Sequence, residues 1–159
     1  MTRLGPCSSL VLMQLADIIN QINKAGDDLC VRPIWRTKLH GRSWDAVVEI
    51  GGASAKGSAY DEAGALADAF EAANRIAQIN RALIVIDAAV DRSSGERGTD
   101  DETLNALRTI WRYSTANGVR EAILWLKNTL IESDNDIGRY QNANAARNRI
   151  RWLLGVKAA

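Results

Sequence analysis

Histidine is almost missing from this chain: His40 is the only one in 159 residues. Metal sites built on paired histidines are therefore excluded, and any histidine-based triad would rest on one side chain in what reads as a strand-connecting loop. Cysteine is nearly as scarce. Cys7 and Cys30 lack CxxC spacing and, even with His40, cannot supply the four ligands of a structural zinc. Both read as small core residues, and no metal or cofactor is expected. Long apolar runs are absent as well. Residues 82–86 and 88–90, separated by Asp87, fall far short of the roughly 20 residues that span a bilayer, so no membrane role is expected. The N-terminal stretch has one early cation, Arg3, is interrupted by Gln14 and Asp17, and meets no small-residue cleavage site, which predicts a cytoplasmic protein without a secretory leader.

What is present is ordinary for a folded domain: 47% hydrophobic and 25% charged residues, in a length that can bury a core without staples. Net charge is +1, unevenly spread. Residues 1–43 carry six cations and three anions, 44–102 five and twelve, and 103–159 nine and four. Such segregation suits selection of a charged partner.

The apolar spacing Leu12, Leu15, Ile18, Ile19, Ile22 predicts a helix over 9–24, capped by Ser8 or Ser9 and ended by Gly26. Residues 29–36 and 44–50 read as antiparallel strands, Gly51-Gly52 as a turn and 53–58 as a weaker third strand. From Tyr60 to Asp91 no proline intervenes, and Leu66, Phe70, Ala73, Ala77, Ile84 and Ala88 repeat as in one long helix behind a Ser58/Asp61 capping box. Residues 83–86 suit a strand as well, with helix preferred. The loop 92–100 marks a lobe boundary. Three helices follow: one capped by Thr99 and Glu102 and closed by Asn117-Gly118, one through Ile123, Leu126 and Leu130, and one from Ile137 to Leu154, stopped by Gly155. The expected fold class is α+β: an N-terminal α-β-β-(β)-α unit over 1–91 with a small antiparallel sheet, then a C-terminal three-helix segment over 99–159, packed as one compact protein.

The passage Gly51-Gly52-Ala53-Ser54-Ala55-Lys56-Gly57-Ser58 has the look of a phosphate loop but the wrong order. Lys56 precedes Gly57 rather than a hydroxyl residue, and Asp61 and Glu62 stand where phosphate would bind. Together with the α-β-β-β-α order and the Ala-rich second helix, this passage resembles a double-stranded-RNA-binding domain over about half the chain. The resemblance implies a three-stranded sheet backed by helices. That family's phosphate contacts use lysines at the start of the second helix, where this sequence has Asp61 and Glu62.

Two arginine-rich stretches hold no acid: 32–42, with Arg32, Arg36, Lys38, His40 and Trp35, and 139–157, with Arg139, Tyr140, Arg147, Arg149, Arg151 and Trp152. Arg147 and Arg151 share a helix face that could meet phosphates or an acidic protein. Of five tryptophans, Trp111 and Trp152 read as core and Trp125 as the exposed one, a residue type that anchors interfaces. The leading expectation is a non-enzymatic binding protein that acts through protein–protein contacts, with homo-oligomerisation open. Small chains of this type are frequent among phage-encoded inhibitors of host machinery, including nucleoprotein defence complexes. The partner-binding candidates are Arg32, Arg36, Lys38, Trp125, Arg139, Tyr140, Arg147 and Arg151. The first alternative is nucleic-acid binding through the two arginine-rich stretches, and the second is a small-ligand binder or enzyme whose pocket joins His40 to carboxylates.

Overall fold

The computed structural model describes residues 5–156, and the side chains of residues 14–156. The elements are α1 (Gly5–Asp28), β1 (Ile34–His40), β2 (Ser43–Ile50), β3 (Ala53–Ala59), α2 (Glu62–Arg92), α3 (Asp101–Tyr113), α4 (Val119–Glu132) and α5 (Asp136–Leu153), which is the expected α+β order. Two compact units, each with its own core, divide the chain between Ala77 and Gln78, inside α2. The loop 93–100 therefore lies within the second unit. The reason is local: the Gly98 N–H donates to the Leu130 carbonyl at 2.8 Å, and Arg97 donates to the Ile131 carbonyl at 2.8 Å while pairing with Asp134 at 2.7 Å. Among the described residues no helix is long and apolar enough to cross a membrane.

In the first unit the strands pair antiparallel in the order β1-β2-β3. Ala46, Val48 and Ile50 alternate inward from β2, where they join Ile22 and Ala25 of α1 and Leu66, Ala69 and Ala73 of α2. The inward positions of β3 are small because α2 lies almost on its backbone. A Cβ placed on Gly57 would sit 2.4 Å from the Ala65 carbonyl and 2.6 Å from the Ala69 nitrogen. Both obstacles are backbone, so Gly57→Ala is expected to cost about 3 kcal/mol, the upper end for overpacking, which a urea unfolding midpoint would register.

Several boundaries differ from the sequence reading. Ser8 and Ser9 are helical residues inside α1 rather than its caps, and the helix runs past Gly26 to Asp28. Gly26 supplies room: a Cβ there would lie 2.5 Å from Pro33 Cδ. The helix closes when Leu29 and Val31 donate to the carbonyls of Ala25 and Gly26, with Cys30 in the left-handed position (φ 55°) where glycine is commoner. Residues 29–33 are thereby withdrawn from β1, which begins at Ile34. Cys30 is exposed rather than core, and the Cys7 side chain lies outside the described residues. Ser58 belongs to β3 and donates to the Asp45 carboxylate at 2.5 Å, while Asp61 alone accepts the Gly64 N–H.

In the second unit residues 83–86 are helical: Leu83 and Ile86 are buried while Ile84 points out. Helix α3 ends at Tyr113, and Gly118, in left-handed conformation, starts α4 instead of closing α3. The N-cap of α3 is Asp100, one residue beyond the expected Thr99. The Asp100 carboxylate accepts the Thr103 N–H at 2.8 Å. The Thr103 hydroxyl beside it, that N–H and the Arg92 guanidinium hold the Asp100 carboxyl below its usual value of 3.8. A depressed carboxyl contributes stability above its unfolded pKa and loses it as pH falls through the lower folded value. Wild-type stability should therefore fall relative to Asp100→Asn as pH drops below 3.8, a contrast measurable by urea titration in acid.

Candidate functional site

The C-terminal arginines turn inward. Helix α5 buries Ala143, Ala146 and Ile150 in the second core, and on the neighbouring arc Arg147 and Arg151 both reach Asp87 of α2. Arg147 lies 3.5 Å from Oδ1, and Arg151 donates to Oδ2. Arg139 is 2% exposed. Its Nε–H donates to the Ser93 carbonyl at 3.0 Å, a second nitrogen donates to the Ser133 carbonyl at 2.9 Å, and the third pairs with Asp136. Arg147 and Arg151 do share a helix face, as expected, but it faces α2 rather than water. They share one carboxylate some sixty residues earlier, and Arg139, Arg147 and Arg151, all largely buried, form no exposed basic surface. On the outside of α5, Tyr140 is partly exposed and Trp152 is 68% exposed, not core. Trp152 stands two residues beyond buried Ile150, on the opposite side of the helix, under the Arg149 guanidinium at 4.6 Å.

Two exposed cations of the first stretch, Arg36 and Lys38, lie on the outer face of the sheet. Register places Arg36, Val47 and Lys56 in one row across the strands and Lys38, Asp45 and Ser58 in the next. These side chains border a shallow depression of about 380 Å³. Asp45 and Glu49 share the face and offset its charge. Arg32 is exposed just ahead of β1, and His40, at the end of β1, is exposed but does not line the depression. No group of three His, Cys, Asp or Glu among the described residues is placed to hold a metal ion.

An apolar groove of about 280 Å³ runs between α3 and α4. Helix α3 contributes Leu104 and Trp111, half-buried beside its buried row of Thr103, Ala106, Leu107 and Ile110, with Leu107 at the floor. Helix α4 contributes Ile123 and Leu124. The charged side chains along the groove are both cations, Arg108 and Lys127, and Arg120 covers one end by stacking on Trp111 at 4.9 Å. Leu124 is nearly half exposed, and Ile131, two helical turns further along the same side of α4, continues the apolar line. Trp125 is 43% exposed, as the sequence suggested, but lies about 100° round α4 from Leu124, outside the groove.

Sequence reasoning missed this groove. Its signal was the width of the apolar arc on α4, where Leu124 stands beside the Ile123, Leu126, Leu130 row without belonging to it. The α-β-β-β-α order that resembles a double-stranded-RNA-binding domain is present, with α1 and α2 residues on the inner side of the sheet. At the start of α2, where that family carries its phosphate-binding lysines, Asp61 accepts the Gly64 N–H and Glu62 accepts the Thr37 hydroxyl at 2.6 Å. No protein-family model matches the chain, and no curated protein or solved structure matches it.

Proposed function

We infer that the chain is a non-enzymatic binding protein whose partner is another protein, engaged through the groove between α3 and α4. The observation that carries this reading is the combination of apolar floor and cationic border. Leu104, Trp111 and Leu124 offer apolar surface between the two helices, while Arg108 and Lys127 flank it with no carboxylate in the lining. A complementary ligand is an amphipathic helix that inserts two or three large apolar side chains and carries Asp or Glu beside them. Such a helix would complete the packing that α3 and α4 leave open.

A panel of helical peptides with a constant apolar row and acidic, neutral or basic flanks tests this by NMR titration. The expected result is saturable shifts of the Trp111 indole and of the Leu124 and Lys127 amides with the acidic-flanked peptide. Arg108→Glu with Lys127→Glu should weaken that binding at least tenfold, about 1.4 kcal/mol. Shifts elsewhere only, or equal response to the basic-flanked peptide, would overturn the reading.

Nucleic-acid binding by the sheet is a second reading, favoured by the Arg36, Lys38, Lys56 cluster. It stands behind because Asp45 and Glu49 share that face and the strands place no Trp, Tyr or Phe on it for a base to stack on. An oligonucleotide added to the same labelled protein would move the Arg36 and Lys56 amides if this reading held.

A further inference from the structure

The strand order β1-β2-β3 leaves β1 at an edge of the sheet. Its turn decides which backbone groups stay unpaired. Gly41-Arg42 is a two-residue hairpin loop, so His40 and Ser43 form a hydrogen-bonded pair. Alternation along the strand then gives Lys38, Arg36 and Ile34 to β2 as well, whereas Trp35, Thr37 and Leu39 turn N–H and C=O away from it. Among the described residues no backbone group across the edge bonds to these three. An edge of this length is usually broken by a bulge or a proline, or guarded by charge. Strand β1 pairs one-to-one with β2 over seven residues, contains no proline, and exposes Ile34 at 58% and Leu39 at 54%. Only charge guards it, and that charge is of one sign: residues 32–42 carry four cations and no acid. Arg36 and Lys38 are exposed and have no ion-pair partner among the described residues. Asp45, opposite Lys38 on β2, accepts the Ser58 hydroxyl from its other side.

We propose that the β1 edge docks an extended acidic segment of another protein, which adds antiparallel as a fourth strand and carries carboxylates two residues apart. The backbone groups of Trp35, Thr37 and Leu39 bond that segment. Arg36 and Lys38 then fall in the pairs that are not hydrogen-bonded, where opposed Cα atoms lie about 4.5 Å apart and side chains meet most closely. An Asp or Glu opposite each makes an ion pair on the outer face of the sheet. The same geometry rejects a second copy. A two-fold through Thr37 would set Arg36 against Lys38 of the other chain at both positions, and a two-fold through Arg36 or Lys38 would set that residue against itself. Nucleic acid fits the cations but not the edge, because alternating donors and acceptors match another peptide backbone while phosphates offer acceptors alone. The site belongs to the first unit and is independent of the groove between α3 and α4.

Amide hydrogen exchange of the full chain, followed by NMR, tests this with a short peptide of Thr and Val in alternation whose two central Thr positions are Glu, and with its Lys counterpart. At saturation the Glu peptide is expected to slow exchange about tenfold at Trp35, Thr37 and Leu39, and little at Arg36 and Lys38, whose N–H groups already bond β2. That alternation is the mark of an added strand, and mere attraction of charge would not produce it. Leu39→Pro removes one outward N–H and none inside the sheet, so it should weaken the Glu peptide about tenfold while circular dichroism stays unchanged. Arg36→Glu with Lys38→Glu should lose the Glu peptide and gain the Lys peptide, an answer that stands even if Leu39→Pro unfolds. The proposal is overturned if the Glu peptide does not bind, if the Lys peptide binds wild type equally, or if protection spreads evenly over residues 34–40. It is overturned too if charge reversal leaves the preference unchanged. An oligonucleotide that shifts Arg36 and Lys56 while the Glu peptide protects nothing would assign the face to nucleic acid instead.

Discussion

Asp87→Ala is expected to remove about 3–5 kcal/mol from the second unit, enough to bring a domain of ordinary stability close to unfolding at room temperature. The carboxylate is the shared partner of Arg147 and Arg151, whose side chains are 17% and 10% exposed. Removing it takes from two neighbouring guanidinium groups, largely withdrawn from water, the carboxylate that they share. The loss is the penalty of uncompensated charge, not the intrinsic value of the ion pair. That distinction makes a second expectation: Asp87→Leu combined with Arg147→Met and Arg151→Met should recover most of the loss, because an apolar cluster of similar volume needs no charge compensation. Urea unfolding of the single and triple variants checks both. A single variant within about 0.5 kcal/mol of wild type would mean that water already solvates the arginines.

Arg139→Ala should be nearly as damaging, at about 3–4 kcal/mol, by a different route. The guanidinium joins three places: the Ser93 carbonyl after α2, the Ser133 carbonyl after α4, and Asp136 in its own first turn. Two backbone carbonyls lose a charged donor at once, and Ser93 is itself buried at 2% exposure. Arg139→Lys keeps the charge but has one nitrogen in place of a planar fork, so it cannot hold all three and should recover little. Hydrogen exchange should show the consequence locally, with lost protection at Gly98, whose N–H is tied to the Leu130 carbonyl near the end of α4. Near-wild-type stability of Arg139→Lys would show that the charge alone suffices.

Much of the architecture was legible because it rests on local pattern. The alternation of Trp44, Ala46, Val48 and Ile50 forecast β2, and Gly51-Gly52 forecast its turn. The branched run 83–86 was open between strand and helix on composition; its helical state follows from membership in an uninterrupted α2 with Leu83 and Ile86 on the core side. Caps slipped by a residue or more where two polar candidates stood together, as at Thr99 and Asp100, since sequence does not say which oxygen reaches the free N–H. The arginines were misplaced for a deeper reason. An Arg at every fourth position looks the same whether it faces water or a carboxylate sixty residues away, and Arg139 serves backbone carbonyls that leave no mark in sequence. The groove was hidden by the same limit: Leu104 and Trp111 look like core until the distance between α3 and α4 is known.

The most direct test of the groove is charge exchange across it. Lys127→Glu should lose the acidic-flanked peptide and gain a peptide in which the facing Glu is replaced by Lys, with binding restored to within a few-fold of the original pair. If wild type and Lys127→Glu bind both peptides alike, the groove is not the docking site.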